Sequence, residues 1–218
     1  MYQTISNISE PIILRDYIDN KDNKKKIGLK SFSYTLGWYN LDNADVQIVG
    51  EQLYKIQDGY YNFNQLLEYL EGVGITIDVN DTNGIAIVNS SKDIKISGQL
   101  KNILGLPKRR LNAGKVYEGD KPIDLATYKN IYVHLEQLNI SDNFLDGKRS
   151  TVLAIVPVEN KKFGDITTVR FEHPEYKTLA GGTIYELKLS IRDENNKEIN
   201  NNNLPISCVL EILEDKTL

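Results

Sequence analysis

The sequence predicts a mainly β protein, a β-sandwich with a small α+β unit inserted into it. Segments of alternating apolar and polar residues recur between loops rich in Gly, Asn, Asp and Lys, the pattern of short strands with one dry face. One stretch, Asp58 to Pro107, replaces that alternation with apolar residues at helical spacing. A third, Val152 to Val156, is apolar at every position and rich in β-branched residues, which asks for a strand covered on both faces. The expected division is 1–57 for the first part of the sandwich, 58–107 for the inserted unit and 108–218 for the remainder.

PIILR, Pro11 to Arg15, opens the strands. In KIGLKSFSYTLGWYNL, Ile27 and Leu29 oppose Gly28 and Lys30, and Phe32, Tyr34 and Leu36 then oppose Ser31, Ser33 and Thr35. DVQIVGEQLYKIQ continues in that style, with Gly50 at a bulge or bend. In DGYYNFNQLLEYLEGVG, Asp58-Gly59 is a turn and Asn62 an N-cap with Gln65 as its capping-box partner, while Tyr61 can staple onto Leu66. Phe63, Leu66, Leu67 and Leu70 share one helical face, and Gly72 is expected just past the helix end.

ITIDVNDTNGIAIVN then reads as a hairpin around Asn83-Gly84. In SGQLKNILGLP, Ser97 caps a short helix with Leu100, Ile103 and Leu104 inward, Gly105 past its end and Pro107 as the stop. From NIYVHLEQL onwards the chain is almost purely β, through STVLAIVPV, ITTVRFEHP, GTIYELKLSIRD and LPISCVLEIL. In IYELKLSI, Tyr185, Leu187, Leu189 and Ile191 are expected on the core face against Glu186, Lys188 and Ser190. DENNKEINNNN reads as a polar hairpin tip.

With 218 residues, 40% of them hydrophobic and 26% charged, a chain of this size buries about 70% of its unfolded surface. No apolar run approaches the ~18 residues of a membrane-spanning helix. The N-terminus lacks a secretory pattern and Cys208 is the single cysteine, so the expectation is cytosolic synthesis without an intrachain disulfide. The N-x-S/T sequons at Asn7, Asn80, Asn89 and Asn139 are then incidental to an Asn-rich composition. A net charge of -4 has the wrong sign for neutralising phosphates. The basic clusters at Lys24 to Lys26 and in LPKRRLNAGK, with Lys108, Arg109 and Arg110, are partner contacts or solvated loops, and no basic terminal arm is present.

Catalytic inventory is thin. The only histidines are His134 and His173, too few for the His and carboxylate clusters of sandwich metalloenzymes. No nucleophile elbow, phosphate loop or dinucleotide fingerprint occurs, and Cys208 in PISCVLEI reads as a buried thiol. No catalytic, cofactor or metal residue is assigned, and the chain reads as a non-enzyme. DVNDTNG is similar to a calcium loop, but its glycine falls one position late and Asn89 stands where a bidentate Glu is needed; the hairpin accounts for the same residues. Trp38-Tyr39 and Tyr60-Tyr61 are either sugar platforms or interface anchors, or else lids over the core.

KKIGLKSFSYTLGWYNL, then YKIQDGYYNFNQLLEYL, a hairpin with NDTNG, and IKISGQLKNILGLP resemble, in that order, the N-terminal half of minor capsid (penton) proteins of virophages and polinton-like viruses. YVHLEQL, DGKRSTVLAIVPV, IYELKLSIRDENNKEI and VLEIL resemble the C-terminal half. The resemblance spans Lys26 to Leu213 and rests on ordered pattern, not on an invariant motif. It implies a single jelly roll with eight strands in two sheets, assembled in the host-cell cytoplasm and located at the capsid vertex of a virion. Homopentamers would plug the fivefold positions of a shell built from a double jelly-roll major capsid protein.

The implied partners are the other copies in the pentamer and the major capsid protein, with a host-cell receptor left open and no sequence-specific nucleic acid or integral membrane contact. Trp38, Tyr39, Tyr60, Tyr61, Lys108, Arg109, Arg110, Lys148 and Arg149 become candidate contact residues, and the 58–107 unit is expected to project as a turret. The second face of Val152 to Val156 would be covered by a neighbouring subunit or by the inserted unit. The competing reading is a carbohydrate- or receptor-binding β-sandwich module that uses Trp38 or the Tyr60-Tyr61 pair as its platform.

Overall fold

The computed structural model describes residues 2–5, 8, 10–22, 24–50, 53–145, 147–159 and 162–214. The chain divides into two compact units, one formed by residues up to Gly37 and from Tyr128 on, the other by Trp38–Thr127. In chain order, β1 (Tyr2–Ile5), β2 (Ile12–Asn20) and β3 (Lys25–Thr35) belong to the first unit. The second holds β4 (Asp45–Ile48), β5 (Leu53–Lys55), α1 (Phe63–Gly72), β6 (Ile75–Val79), β7 (Ile85–Ser90), β8 (Ile94–Ile96), α2 (Gly98–Ile103), β9 (Arg110–Leu111) and β10 (Val116–Pro122). The first unit resumes with β11 (Asn130–Leu135), β12 (Phe144–Leu145), β13 (Lys148–Arg149), β14 (Val152–Pro157), β15 (Ile166–Arg170), β16 (Lys177–Thr178), β17 (Gly182–Leu187), β18 (Leu189–Arg192) and β19 (Ile206–Glu214).

The first unit is a jelly roll, and its strand pairing says so directly. One sheet runs β1-β19-β3-β15, with β16 continuing along β3. In the other, β2 pairs β17, and β18 pairs β11, which pairs β14; only Lys188 separates β17 from β18. Taken as eight strands in chain order, the first sheet uses the first, eighth, third and sixth, and the second uses the second, seventh, fourth and fifth. That interleaving is two Greek keys folded into one sandwich. Ile27, Leu29, Phe32, Tyr34, Ile131, Val133, Leu135, Leu187 and Leu210 fill its interior.

Bulges set which side chains face inward. Ile27 and Leu29 are buried in one phase and Phe32 and Tyr34 in the other, and the register against β19 shifts between them, with Leu29 opposite Leu210 and Ser31 opposite Val209. One extra residue, Lys30, flips the pleat, as the sequence alternation requires. On β17 the register shifts between Ile184 and Glu186. Tyr185, expected on the core face, is therefore turned out and 66% exposed, while Ile184 takes the inward position. On β14 the shift leaves Leu153 unpaired between Val152, opposite His134, and Ala154, opposite Val133. The apolar run is thus not buried on both faces: Leu153 and Val156 are buried, whereas Ile155 is 40% exposed.

The second unit holds two sheets, β5-β4-β8-β9 and β10-β7-β6, and a core containing Val46, Leu66, Leu70, Val88, Ile94 and Leu100. Its extent differs from the expected 58–107 because partners lie beyond both boundaries. Val46 pairs Ile96 and Tyr117 pairs Val88, so residues on either side are needed to close the sheets. Helix α1 begins as the sequence dictates: Asn62 Oδ1 accepts from Gln65 N and Gln65 Oε1 from Asn62 N. Its end differs. Gly72 is the last helical residue, Val73 the C-cap, and Gly74 at φ +84 makes the left-handed exit.

Helix α2 has Ser97 as N-cap, its side chain accepting from Leu100 N, and Gly105 at φ +64 after Leu104. The β6–β7 hairpin forms, though through a longer loop than Asn83-Gly84 alone suggests. Asn83 N and Gly84 N both donate to Asn80 O, and Asn80 N donates to Ile85 O. Of the two, Gly84 alone has positive φ.

Candidate functional site

The aromatic candidates separate by environment. Trp38 is 3% exposed and Tyr39 40%, so Trp38 offers no platform to a sugar ring and the reading that uses it is corrected. Tyr60 and Tyr61 are half-buried. Asn40, itself buried, holds Tyr61 by both ends of its amide: Nδ2 donates to Tyr61 O at 2.8 Å and Oδ1 accepts from Tyr61 N at 2.8 Å. The Tyr61 hydroxyl donates to Gln57 O, and burial, then the Asp58 carboxylate, raise its pKa. Tyr61 packs against the second unit's core, which makes it a lid.

Lys108, Arg109 and Arg110 do not converge on one point. The Lys108 ammonium stands 4.8 Å from the centroid of the Tyr117 ring, a cation–π contact. The Arg109 guanidinium closes over Gly98 at the start of α2, and Arg110 pairs Lys95 across β9 and β8. All three are exposed. Of the sequon asparagines, Asn80 and Asn89 belong to the β6–β7 hairpin region and Asn139 to a turn, while Asn7 lies outside the described residues.

Lys148 and Arg149 do meet other functional groups. Strand β13 pairs β12, with Phe144 opposite Arg149 and Leu145 opposite Lys148; Asp146 lies outside the described residues. Both cations line an open cleft of about 700 Å³ with Tyr132, His134, Arg192 and Asn196. The cleft sits on the face of the second sheet turned away from the core, where Tyr132 pairs Arg192. Arg192 Nη1 donates to Asn196 Oδ1 at 3.1 Å, and its Nε is buried without a partner.

His134 on β11 has Nδ1 2.9 Å from Thr151 Oγ1. Burial, then the Arg192 charge, push its pKa down to about 4. Arg192 and Tyr132 carry no local sequence signal; the sheet register alone brings them to Lys148 and Arg149.

Burial pushes the Cys208 thiol up to about 12, so at neutral pH it is a packing group. Among the described residues no group of three or more His, Cys, Asp or Glu is placed to hold a metal ion. The outward face of the second sheet carries large apolar groups instead. Ile13 is 83% exposed, Tyr17 60% and Tyr185 66%, and the two tyrosine rings are tilted with centroids 6.0 Å apart.

No protein-family model and no curated protein matches the chain. The chain is similar, across 98% of its own length and 98% of the other chain, to the crystal structure of the SeMet-labelled mavirus penton protein, with a TM-score of 0.48 and 11% sequence identity.

Proposed function

We propose that this chain is a structural capsid protein, a penton that forms homopentamers at the fivefold vertices of a virophage- or polinton-like virion and meets a major capsid protein there. The observation that carries the reading is the jelly roll's outward apolar surface: Ile13, Tyr17 and Tyr185 are exposed on the paired strands β2 and β17, and Ile155 is exposed on β14. Exposed aromatic and aliphatic groups grouped on one face mark an interaction surface. A ring of like subunits joined by heterologous contacts covers such a face on every copy. The ordered resemblance of the sequence to penton proteins points the same way. The buried thiol and the buried, neutral His134 fit a structural role better than a catalytic one.

The test is the solution mass of the purified chain by light scattering across concentration and salt. A species of five chains supports the proposal. A chain that remains monomeric throughout and does not bind capsid shells lacking their vertex protein would overturn it.

A further inference from the structure

We propose that the cleft beneath the β12–β13 hairpin binds an acidic sugar, a pyranose carrying one carboxylate, with Arg192 on the carboxylate and Lys148 and Arg149 at the rim. The inference concerns the isolated chain: Tyr132 of the cleft pairs Ile155 of the proposed contact face, so a ring closed over that face would compete with the sugar. A cleft of about 700 Å³ lies in the range of small-molecule sites, about 300–1,000 Å³.

The charge pattern selects the ligand. Arg192 is half-buried, forms no ion pair among the described residues, and spends one N–H on a neutral amide while another is buried without an acceptor. A guanidinium partly removed from water lacks a counter-charge there, and a carboxylate is the group that matches its donor geometry. Among the described residues no ion pair joins Arg192 to the neighbouring Asp193, whose Oδ1 accepts from Asn195 N and Lys197 N at 2.9 and 2.7 Å. His134 is neutral at physiological pH and adds no charge. Asp193 and Glu194 also line the cleft. Among the described lining residues three cations therefore oppose two carboxylates, which suits one anionic group and disfavours a polyphosphate or nucleic acid.

The remaining lining selects a sugar. Ser150, Asn195 and Asn196 supply hydroxyl and amide groups that can both donate and accept, as a polyol requires. Tyr132, Ile140 and Val152 supply aromatic and aliphatic surface for the C–H face of a pyranose.

The experiment is amide chemical-shift titration of the full chain with methyl glucuronoside and methyl N-acetylneuraminoside. Methyl glucoside, acetate and an acetylated acidic tripeptide serve as comparisons. Saturable shifts are expected for residues 132–134, 148–152 and 192–196. Binding should weaken by about tenfold in Arg192→Gln, with a smaller loss in Arg149→Ala, whose exposed hairpin position spares the fold. The neutral sugar and acetate should bind at least about tenfold more weakly than the acidic sugars. Equal binding by acetate or methyl glucoside, tighter binding by the tripeptide, shifts elsewhere, or no shift at millimolar sugar would each overturn the proposal. Light scattering on the same sample reports its mass, and the titration is read on monomer, supplied by Tyr185→Glu where the chain assembles, so either reading can fail without the other.

Discussion

Tyr176 lies across Gly28: a Cβ on Gly28 would stand 2.9 Å from Tyr176 Cδ1 and 3.2 Å from Pro174 Cβ. Gly28 pairs Glu211 across β3 and β19, and the hydroxyl of the same ring donates to Glu211 Oε2 at 2.5 Å. The ring therefore covers one strand and is tied to the next, so it cannot yield cheaply to an added methyl. Gly28→Ala is expected to cost about 1–3 kcal/mol, measured by urea denaturation. The cost should largely vanish in a Tyr176→Ala background, and an undiminished cost there would place the clash elsewhere.

The Tyr176 hydroxyl has a titration of its own. Its hydrogen bond to Glu211, then desolvation, push it up to about 12. The bonds from Tyr176 and Tyr2, with help from Lys30, hold the Glu211 carboxyl below its ordinary range. Ultraviolet titration should show a tyrosine ionising near pH 12, and Tyr176→Phe should remove that phase. Because Glu211's folded pKa is depressed, its contribution is present at neutral pH and lost as pH falls through the folded value. Tyr176→Phe should move that loss to higher pH; an unchanged acid limb would remove the hydrogen bond from the account.

His134 gives a second pH dependence. Its folded pKa of about 4 lies below the ordinary 6.5, through burial first and Arg192 second. Between those values the unfolded chain binds the proton and the folded chain does not, so stability falls as pH drops from about 6.5 towards 4. His134→Gln should flatten that segment of the stability profile. A profile with the same slope in wild type and variant would assign the slope to other groups.

The two glycines ending α1 make opposite predictions. Gly72 is helical, and a Cβ there meets nothing within 4 Å, so Gly72→Ala should stabilise by about 0.5–1 kcal/mol. Gly74 has φ +84, and a Cβ there would stand 2.7 Å from Ser91 Oγ. Gly74→Ala should cost about 1–2 kcal/mol. Thermal unfolding of the pair decides which glycine terminates the helix; equal effects would mean that neither position does.

What the sequence disclosed, and what it hid, follows from the range of the forces involved. The capping box at Asn62 and Gln65 is local, and the phase flip between Leu29 and Phe32 is written in adjacent residues, so both were legible. Tyr185 was misplaced because a bulge opposite β2 depends on a strand more than a hundred residues away in sequence, and nothing in IYELKLSI announces it. The extent of the second unit was hidden for the same reason, since β4, beyond its hairpin partner β5, gains its second neighbour only when β8 arrives. Trp38 looked like an available ring at the end of a strand, yet its burial is a tertiary fact. The cleft joins Arg149 to Arg192 through the register of β11 with β14 and β18, which no spacing in the sequence encodes.

On the pentamer reading, the outward face separates assembly from folding. Tyr185 is 66% exposed and Ile155 40%, so polar replacements there remove little of the monomer's core, and changes of this kind usually stay within about 0.5 kcal/mol. Tyr185→Glu and Ile155→Asp are therefore expected to leave the thermal midpoint nearly unchanged while converting a five-chain species to monomer, because a charge buried in each repeated contact lacks a partner. Trp38→Ala should do the reverse and lower the midpoint, with a cost of about 3–5 kcal/mol from a side chain 3% exposed. Light scattering and thermal unfolding on the three variants provide the comparison. Pentamers that survive both polar replacements would move the interface off this sheet, and a midpoint that collapses with Tyr185→Glu would mean the ring is needed by the monomer itself.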